Sequence, residues 1–238
     1  MPPLDVRAAA ATMDAMSELT ATAFAPRDRP PPLRPDEIHV CSIALDATAT
    51  PRAVTEAARV VLDRLLRFYA GTDAPIEIAR GRHGKPYAPA FAGLDFNLSH
   101  AGHHVLLAFA RGQALGVDLE RDERRLSLIE IARRFFAADE ADALERLPDA
   151  ARLPCFLRLW TRKEAVLKAL GQGLNFGLDR LAFAIDGDGE VGALHRIAEE
   201  AGAPADWRLC ALAPAPGLVG ALAWRGPERP LQTFTLPL

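Results

Sequence analysis

The chain has 238 residues, half of them hydrophobic and a quarter charged, a balance that suits a folded globular protein with a substantial core. A formal net charge of −3 excludes a molecule built as a whole for nucleic acid, so any basic partner site must be local. No apolar run approaches the roughly 18 residues that span a bilayer and no signal-peptide pattern opens the sequence, so a cytoplasmic protein without a membrane partner is expected.

Residues 1–36 are rich in Ala and Pro and end in RPPPLRP. Proline without hydrophobic periodicity carries neither helix nor ladder, so this segment is expected as a tail or an extended wrap. IHVCSIAL (Ile38–Leu45) predicts a buried strand. In TPRAVTEAARVVLDRLLRFYAG, apolar residues at Val54, Ala57, Ala58, Val61, Leu62, Leu65 and Leu66 predict an amphipathic helix stopped by Gly71. IEIAR, FNLSH, VLLAFA and LGVDLE follow as strand candidates between turn residues such as His83-Gly84 and Arg111-Gly112. LSLIEIARRFF, ADEADALERL and FLRLWTRKEAVLKAL predict helices, the last closed by Gly171. LAFAID, EVGALHR, WRLCALA and LVGALAWR return to strands. Helix, strands, helices, strands implies an α+β protein of two similar halves, placed at residues 37–117 and 118–238. The three cysteines, Cys41, Cys155 and Cys210, form no CxxC pair and are expected as buried thiols.

Four stretches carry side chains suited to chemistry. On a strand, GVDLE points Asp118 and Glu120 to one face and Val117 and Leu119 to the other. Two such carboxylates suit a wet edge, or a hard cation that takes oxygen ligands and leaves other positions to phosphate and water. In LWTRKEAVLKALGQGL, Trp160, Glu164 and Lys168 share a helix face by i, i+4 spacing and Lys163 flanks it. That is either a surface ion pair or half of a site for something multiply charged. GRHGKPY presents Lys85 from a turn stiffened by Pro86, as a phosphate-binding lysine or a solvated turn would. FNLSHAGHH offers Ser99 and His100 as phosphate donors; its three histidines read as a turn rather than a transition-metal site.

Taken in order, GRHGKP, FNLSHAG, GVDLE, ARRFFAADE and LWTRKEAVLKALGQGL resemble the 4′-phosphopantetheinyl transferases of the Sfp type. The resemblance implies two pseudo-symmetric α+β halves, each a small antiparallel sheet packed with helices, with coenzyme A in the cleft between them. It implies transfer of 4′-phosphopantetheine from coenzyme A to a serine of an apo acyl or peptidyl carrier protein, with release of adenosine 3′,5′-bisphosphate. By position, Asp118, Glu120 and Glu164 would be the carboxylates for Mg²⁺, with Mn²⁺ as a substitute. Lys85 and His100 would hold the 3′-phosphate region, with Arg80, Asn97 and Ser99 around the cofactor. Lys168, with Lys163, would face the diphosphate, and Glu164 would take the carrier serine's proton while Lys168 steadies the departing oxygen. The family's basic group near the first long helix has Arg52 as its candidate here. A monomer is expected, and Arg121, Arg124, Arg125, Arg133 and Arg134 form either a solvated helix face or a dock for an acidic carrier. Two competing readings are a nucleotide phosphohydrolase using the same acids, and a non-catalytic carrier-binding module.

Overall fold

The computed structural model of the chain describes residues 19–21, 23–123 and 127–238. Strands β1 (Leu19–Ala21), β2 (Ala25–Pro26) and β3 (Ile38–Ala44) precede helix α1 (Pro51–Ala70). The short strands β4 (Ala79–Arg80) and β5 (Pro86–Tyr87) pair with each other, and β6 (Leu94–Ala101), β7 (His104–Arg111) and β8 (Leu115–Arg121) follow. Next come α2 (Leu128–Phe135), α3 (Ala138–Arg146) and α4 (Asp149–Leu170). Strands β9 (Leu181–Ile185), β10 (Val191–Ile197), β11 (Trp207–Leu212), β12 (Leu218–Arg225) and β13 (Leu231–Thr235) complete the series.

Local chemistry sets the ends of α1. The Thr50 side chain accepts a hydrogen bond from the Ala53 amide at 3.2 Å, Pro51 opens the first turn, and Gly71 closes the helix in the left-handed region at φ 69°. Its buried face carries Val54, Ala58, Val61, Leu62, Leu65, Leu66 and Tyr69, as the apolar spacing predicts. Two elements differ from expectation. IEIAR yields only the two-residue β4, because its partner strand leaves the ladder after Tyr87, where Pro89–Phe91 turn into a 3₁₀ helix. Helix α4 reaches back to Asp149 through Pro154, forfeiting one backbone hydrogen bond near its start.

Two sheets carry the molecule. One has the order β2-β13-β3-β7-β6, the other β1-β11-β12-β8. In each, three antiparallel strands (β3-β7-β6 and β11-β12-β8) are joined by a parallel strand from far away in sequence, β13 beside β3 and β1 beside β11. The fold is therefore α+β with two sheet–helix halves, but the sheets do not follow a single cut in the chain. Strand β13 lies with the first half, and the proline-rich segment supplies β1 to one sheet and β2 to the other.

Strand alternation builds three apolar layers. Val105, Leu107 and Phe109 of β7 face α1, while Leu106, Ala108 and Ala110 face the second sheet. Ile38, Val40, Leu115, Val117, Leu119, Leu222 and Trp224 fill the space between the sheets, and α4 covers the far side of the second. Burial on both faces explains why VLLAFA is continuously apolar. All three cysteines are buried thiols. Among the described residues, no helix is long and apolar enough to cross a membrane.

A buried polar cluster anchors the chain entering β3. Neutral His39 donates from Nε2 to Glu37 Oε1 at 3.0 Å, since a carboxylate only accepts, and its Nδ1 takes the Tyr69 hydroxyl at 2.9 Å. Gln232 of β13 donates to Glu37 Oε2 at 2.7 Å, and the Arg34 guanidinium meets the same carboxylate at 2.9 Å. Burial holds the His39 imidazole below its ordinary range, against the pull of Glu37.

Candidate active site

The register of β8 is fixed by Leu115, Val117 and Leu119, which are buried between the sheets. The intervening Gly116, Asp118 and Glu120 must then face α4. Gly116 lets the helix come close: a Cβ there would lie 2.1 Å from the Ala165 carbonyl oxygen and 2.4 Å from the Ala169 nitrogen. A glycine inside an otherwise apolar strand is the sequence mark of such an approach, and it is a site residue that motif reading passed over.

This contact brings Lys168 onto Asp118. The Lys168 ammonium donates to Asp118 Oδ1 at 2.7 Å, to Ser99 Oγ at 3.1 Å and to the Val117 carbonyl at 3.1 Å. Ser99 in turn donates to Asp118 Oδ1 at 2.9 Å. The other carboxylate oxygen, Asp118 Oδ2, is buried with no hydrogen-bond partner. An unpartnered buried carboxylate oxygen is costly, and it invites a cation or donor. Glu164 stands one turn before Lys168, where burial and then the Asp118 charge push its carboxyl up to about 7; Lys168 opposes the shift and Glu120 adds to it. Asp118, Glu120 and Glu164 thus share one electrostatic site. Among the described residues, no group of three or more His, Cys, Asp or Glu side chains makes a ready-formed metal cage.

Beside the cluster lies a cleft of about 740 Å³. One face of α1 (Thr55, Ala58, Arg59, Leu62), the β4–β5 hairpin, β6 and the end of α4 line it. Of the expected cofactor residues, Arg80, Lys85, Asn97, Ser99, His100 and Lys168 all line this one cleft. Several also have structural bonds. Asn97 Oδ1 accepts the Val117 amide at 2.9 Å, tying β6 to β8, and Arg80 donates to the Gly84 carbonyl at 2.9 Å. Lys85 donates to the Leu115 and Ala169 carbonyls at 2.9 and 3.1 Å, and burial pulls its ammonium down to about 8. His100 is exposed at the rim.

Lys163 is the expected site residue that the structure does not bring here. Its side chain is fully buried on the far side of α4, where the ammonium meets Glu140 Oε2 at 2.6 Å and donates to the Leu178 and Leu181 carbonyls. Those three acceptors occupy all its donors, so it has none for a diphosphate. The expectation that it flanks the phosphates is corrected, and Glu140 gains a role as its buried counter-ion, also accepting the Phe183 amide at 2.9 Å.

Arg52 does not line the cleft, whereas Arg59, two turns further along α1, does. Thr55, Ala58, Arg59 and Leu62 share a helix face by i, i+3, i+4, i+7 spacing, which was the signal available. In the arginine group, Arg124 and Arg125 lie outside the described residues. Arg133 is paired with Asp142 and Glu145, and Arg121 with Glu123 at 2.7 Å.

The chain is 34% identical over 125 residues to the 4′-phosphopantetheinyl transferase Sfp of Bacillus subtilis, covering 52% of this chain and 54% of the relative. It is 37% identical over 122 residues to the 4′-phosphopantetheinyl transferase HetI of a Nostoc species, covering 50% and 52%. It is 36% identical over 121 residues to the 4′-phosphopantetheinyl transferase AcpT of Salmonella typhimurium, covering 50% and 59%. The chain thus spans about half the length of the curated relatives it matches. The family model of the 4′-phosphopantetheinyl transferase superfamily matches residues 114–221, from the residue before β8 to the middle of β12, which hold Asp118, Glu120, Glu164 and Lys168 together. Over that segment, a little under half of the chain, the protein is similar to the 4′-phosphopantetheinyl transferase superfamily.

Proposed function

We propose that this protein is an enzyme that transfers the 4′-phosphopantetheine group of coenzyme A to a serine of an apo carrier protein, releasing adenosine 3′,5′-bisphosphate. The observation that carries the reading is the Lys168–Asp118 contact, with Glu164 in the field of Asp118, beside a cleft that Lys168 lines together with Arg59, Arg80 and His100. Such a cleft suits a nucleotide whose phosphates run toward the acid cluster. The names of the relatives above support the same reading.

Asp118, Glu120 and Glu164 would hold Mg²⁺, or Mn²⁺ in its place. They fit such an ion: all offer hard oxygen donors, and Asp118 Oδ2 lacks a partner. Mg²⁺ leaves coordination positions to phosphate and water, so a complete protein cage is not required. When bound, the ion supplies neutralisation of the diphosphate charge. Arg80, Arg59 and His100 orient the nucleotide end, and Lys168 provides the positive charge nearest the diphosphate. Glu164 would accept the carrier serine's proton as its oxygen attacks, and Lys168 would stabilise the departing oxygen.

The test is to incubate the protein with coenzyme A, Mg²⁺ and a panel of apo carrier proteins, then weigh the carriers by mass spectrometry. The expected result is a gain of one phosphopantetheine on a serine, lost when the metal is chelated. Release of nucleotide from coenzyme A with every carrier unchanged would replace transfer by hydrolysis. Carrier binding with neither mass gain nor nucleotide release would leave a binding module.

A further inference from the structure

Lys85 sits where three elements meet. Gly84, in the left-handed region at φ 86°, turns the chain into it, and the Gly81 amide donates to its carbonyl at 2.9 Å. Pro86 follows, so the backbone beneath the side chain is stiff. From this base the side chain crosses to the other half of the molecule. Its ammonium donates to the Leu115 carbonyl at the start of β8 and to the Ala169 carbonyl in the last turn of α4. The second carbonyl is among the four that a helix end leaves without a helical partner, and a cation there is favoured by the helix dipole. A Cβ on Gly171 would lie 3.3 Å from Lys85 Cδ, so the glycine that caps α4 also makes room for the lysine stem.

We infer that Lys85 is a positioning residue that fixes the spacing of β8 and α4 at the acid cluster, with its ammonium engaged by protein carbonyls rather than by a phosphate of the donor. The inference rests on the transfer reading above and refines it. Ala169 directly follows Lys168, and Leu115 lies three residues before Asp118. One ammonium therefore holds both elements whose facing side chains make the 2.7 Å Lys168–Asp118 contact. Loss of that tie lets the two elements part while the cations lining the nucleotide end of the cleft stay in place.

The experiment compares wild type, Lys85→Met and Lys85→Arg. Transfer to an apo carrier is measured with coenzyme A and with its 3′-dephospho form, kcat and KM being determined for each. Lys85→Met keeps the stem and loses the donors. It should lower kcat by roughly tenfold or more with both donors, as a small misplacement of reacting groups does, and keep the preference between donors within about twofold of wild type. Lys85→Arg keeps the charge, but its planar fork does not fit the slot beside Gly171, so kcat should fall here too. A variant that keeps kcat and loses only the preference for the 3′-phosphate would assign Lys85 to the phosphate and overturn the inference. Hydrogen–deuterium exchange supplies a readout apart from activity: residues 115–118 and 167–171 should exchange faster together in both variants. Unchanged exchange in both segments would also overturn it. Should the wild type modify no carrier, the transfer reading fails, and the exchange data still decide whether Lys85 is the tie.

Discussion

Substituting Gly116 with alanine tests whether the site depends on the closeness of β8 and α4. The added methyl would lie 2.1 Å from the Ala165 carbonyl oxygen, 2.4 Å from the Ala169 nitrogen and 2.8 Å from Lys168 Cβ. Carbon–oxygen contact needs about 3.4 Å, so the helix must retreat from the strand by more than ~1 Å. The two nearest atoms are backbone, which no change of rotamer can move aside. Overpacking of this kind costs about 1–3 kcal/mol. A displacement near 1 Å at reacting groups lowers turnover by about 10²-fold. The same retreat lengthens the 2.7 Å Lys168–Asp118 contact, which lies two residues along β8. Gly116→Ala is therefore expected to lose stability in urea denaturation by that amount and to lose carrier modification almost entirely, with folding still cooperative. A variant with an unchanged denaturation midpoint and wild-type turnover would refute the claim that strand–helix distance sets the site.

Glu164→Gln should lower turnover by about 10²-fold or more while calorimetric affinity for coenzyme A changes little, and normal turnover would dismiss the base role. Lys163→Met should destabilise by about 3–5 kcal/mol in denaturant melts, because it strands Glu140 as an unpaired buried acid. The Lys163→Met/Glu140→Gln pair should recover part of that loss; no recovery would mean the two side chains are not coupled. Acid should also loosen the first half. The His39 pKa is depressed on folding, so between its ordinary value of 6.5 and the lower native one the unfolded chain binds the extra proton. Stability is full above that window and declines as pH falls through it. Wild-type melting temperature should therefore drop more steeply than that of His39→Gln on acidification from pH 6.5 to 5; parallel slopes would show that His39 does not titrate on unfolding.

The parts of the site governed by local periodicity were legible in the sequence. Alternation placed Asp118 and Glu120 on one face of a strand, and i, i+4 spacing placed Glu164 and Lys168 on one face of a helix, which the structure brings against that strand. The helical phase also contained a warning about Lys163. Its neighbours at i−4, i+3 and i+4 are Leu159, Val166 and Leu167, all fully buried, so a lysine among them calls for a buried counter-ion. Motif similarity outweighed that phase and set Lys163 among the phosphates. Long-range pairing was not legible. Nothing local in LQTF says that β13 lies beside β3, and nothing in the proline-rich start says that its short strands join two different sheets. Those placements are settled by which sheet edges remain open once the rest has folded, a property of the whole chain.

The position of β13 bears on how the protein is made. Residues 231–235 fill the gap between β2 and β3, and Gln232 completes the bonding of Glu37 almost two hundred residues upstream. During synthesis the early sheet therefore waits with an open edge until residue 235 has cleared the ribosome, and the nascent chain must keep that edge from pairing with a stranger. Fragments cut before residue 231 carry the whole Asp118–Glu164–Lys168 cluster yet lack the strand that closes the opposite sheet, so trimming the tail endangers solubility before it touches chemistry.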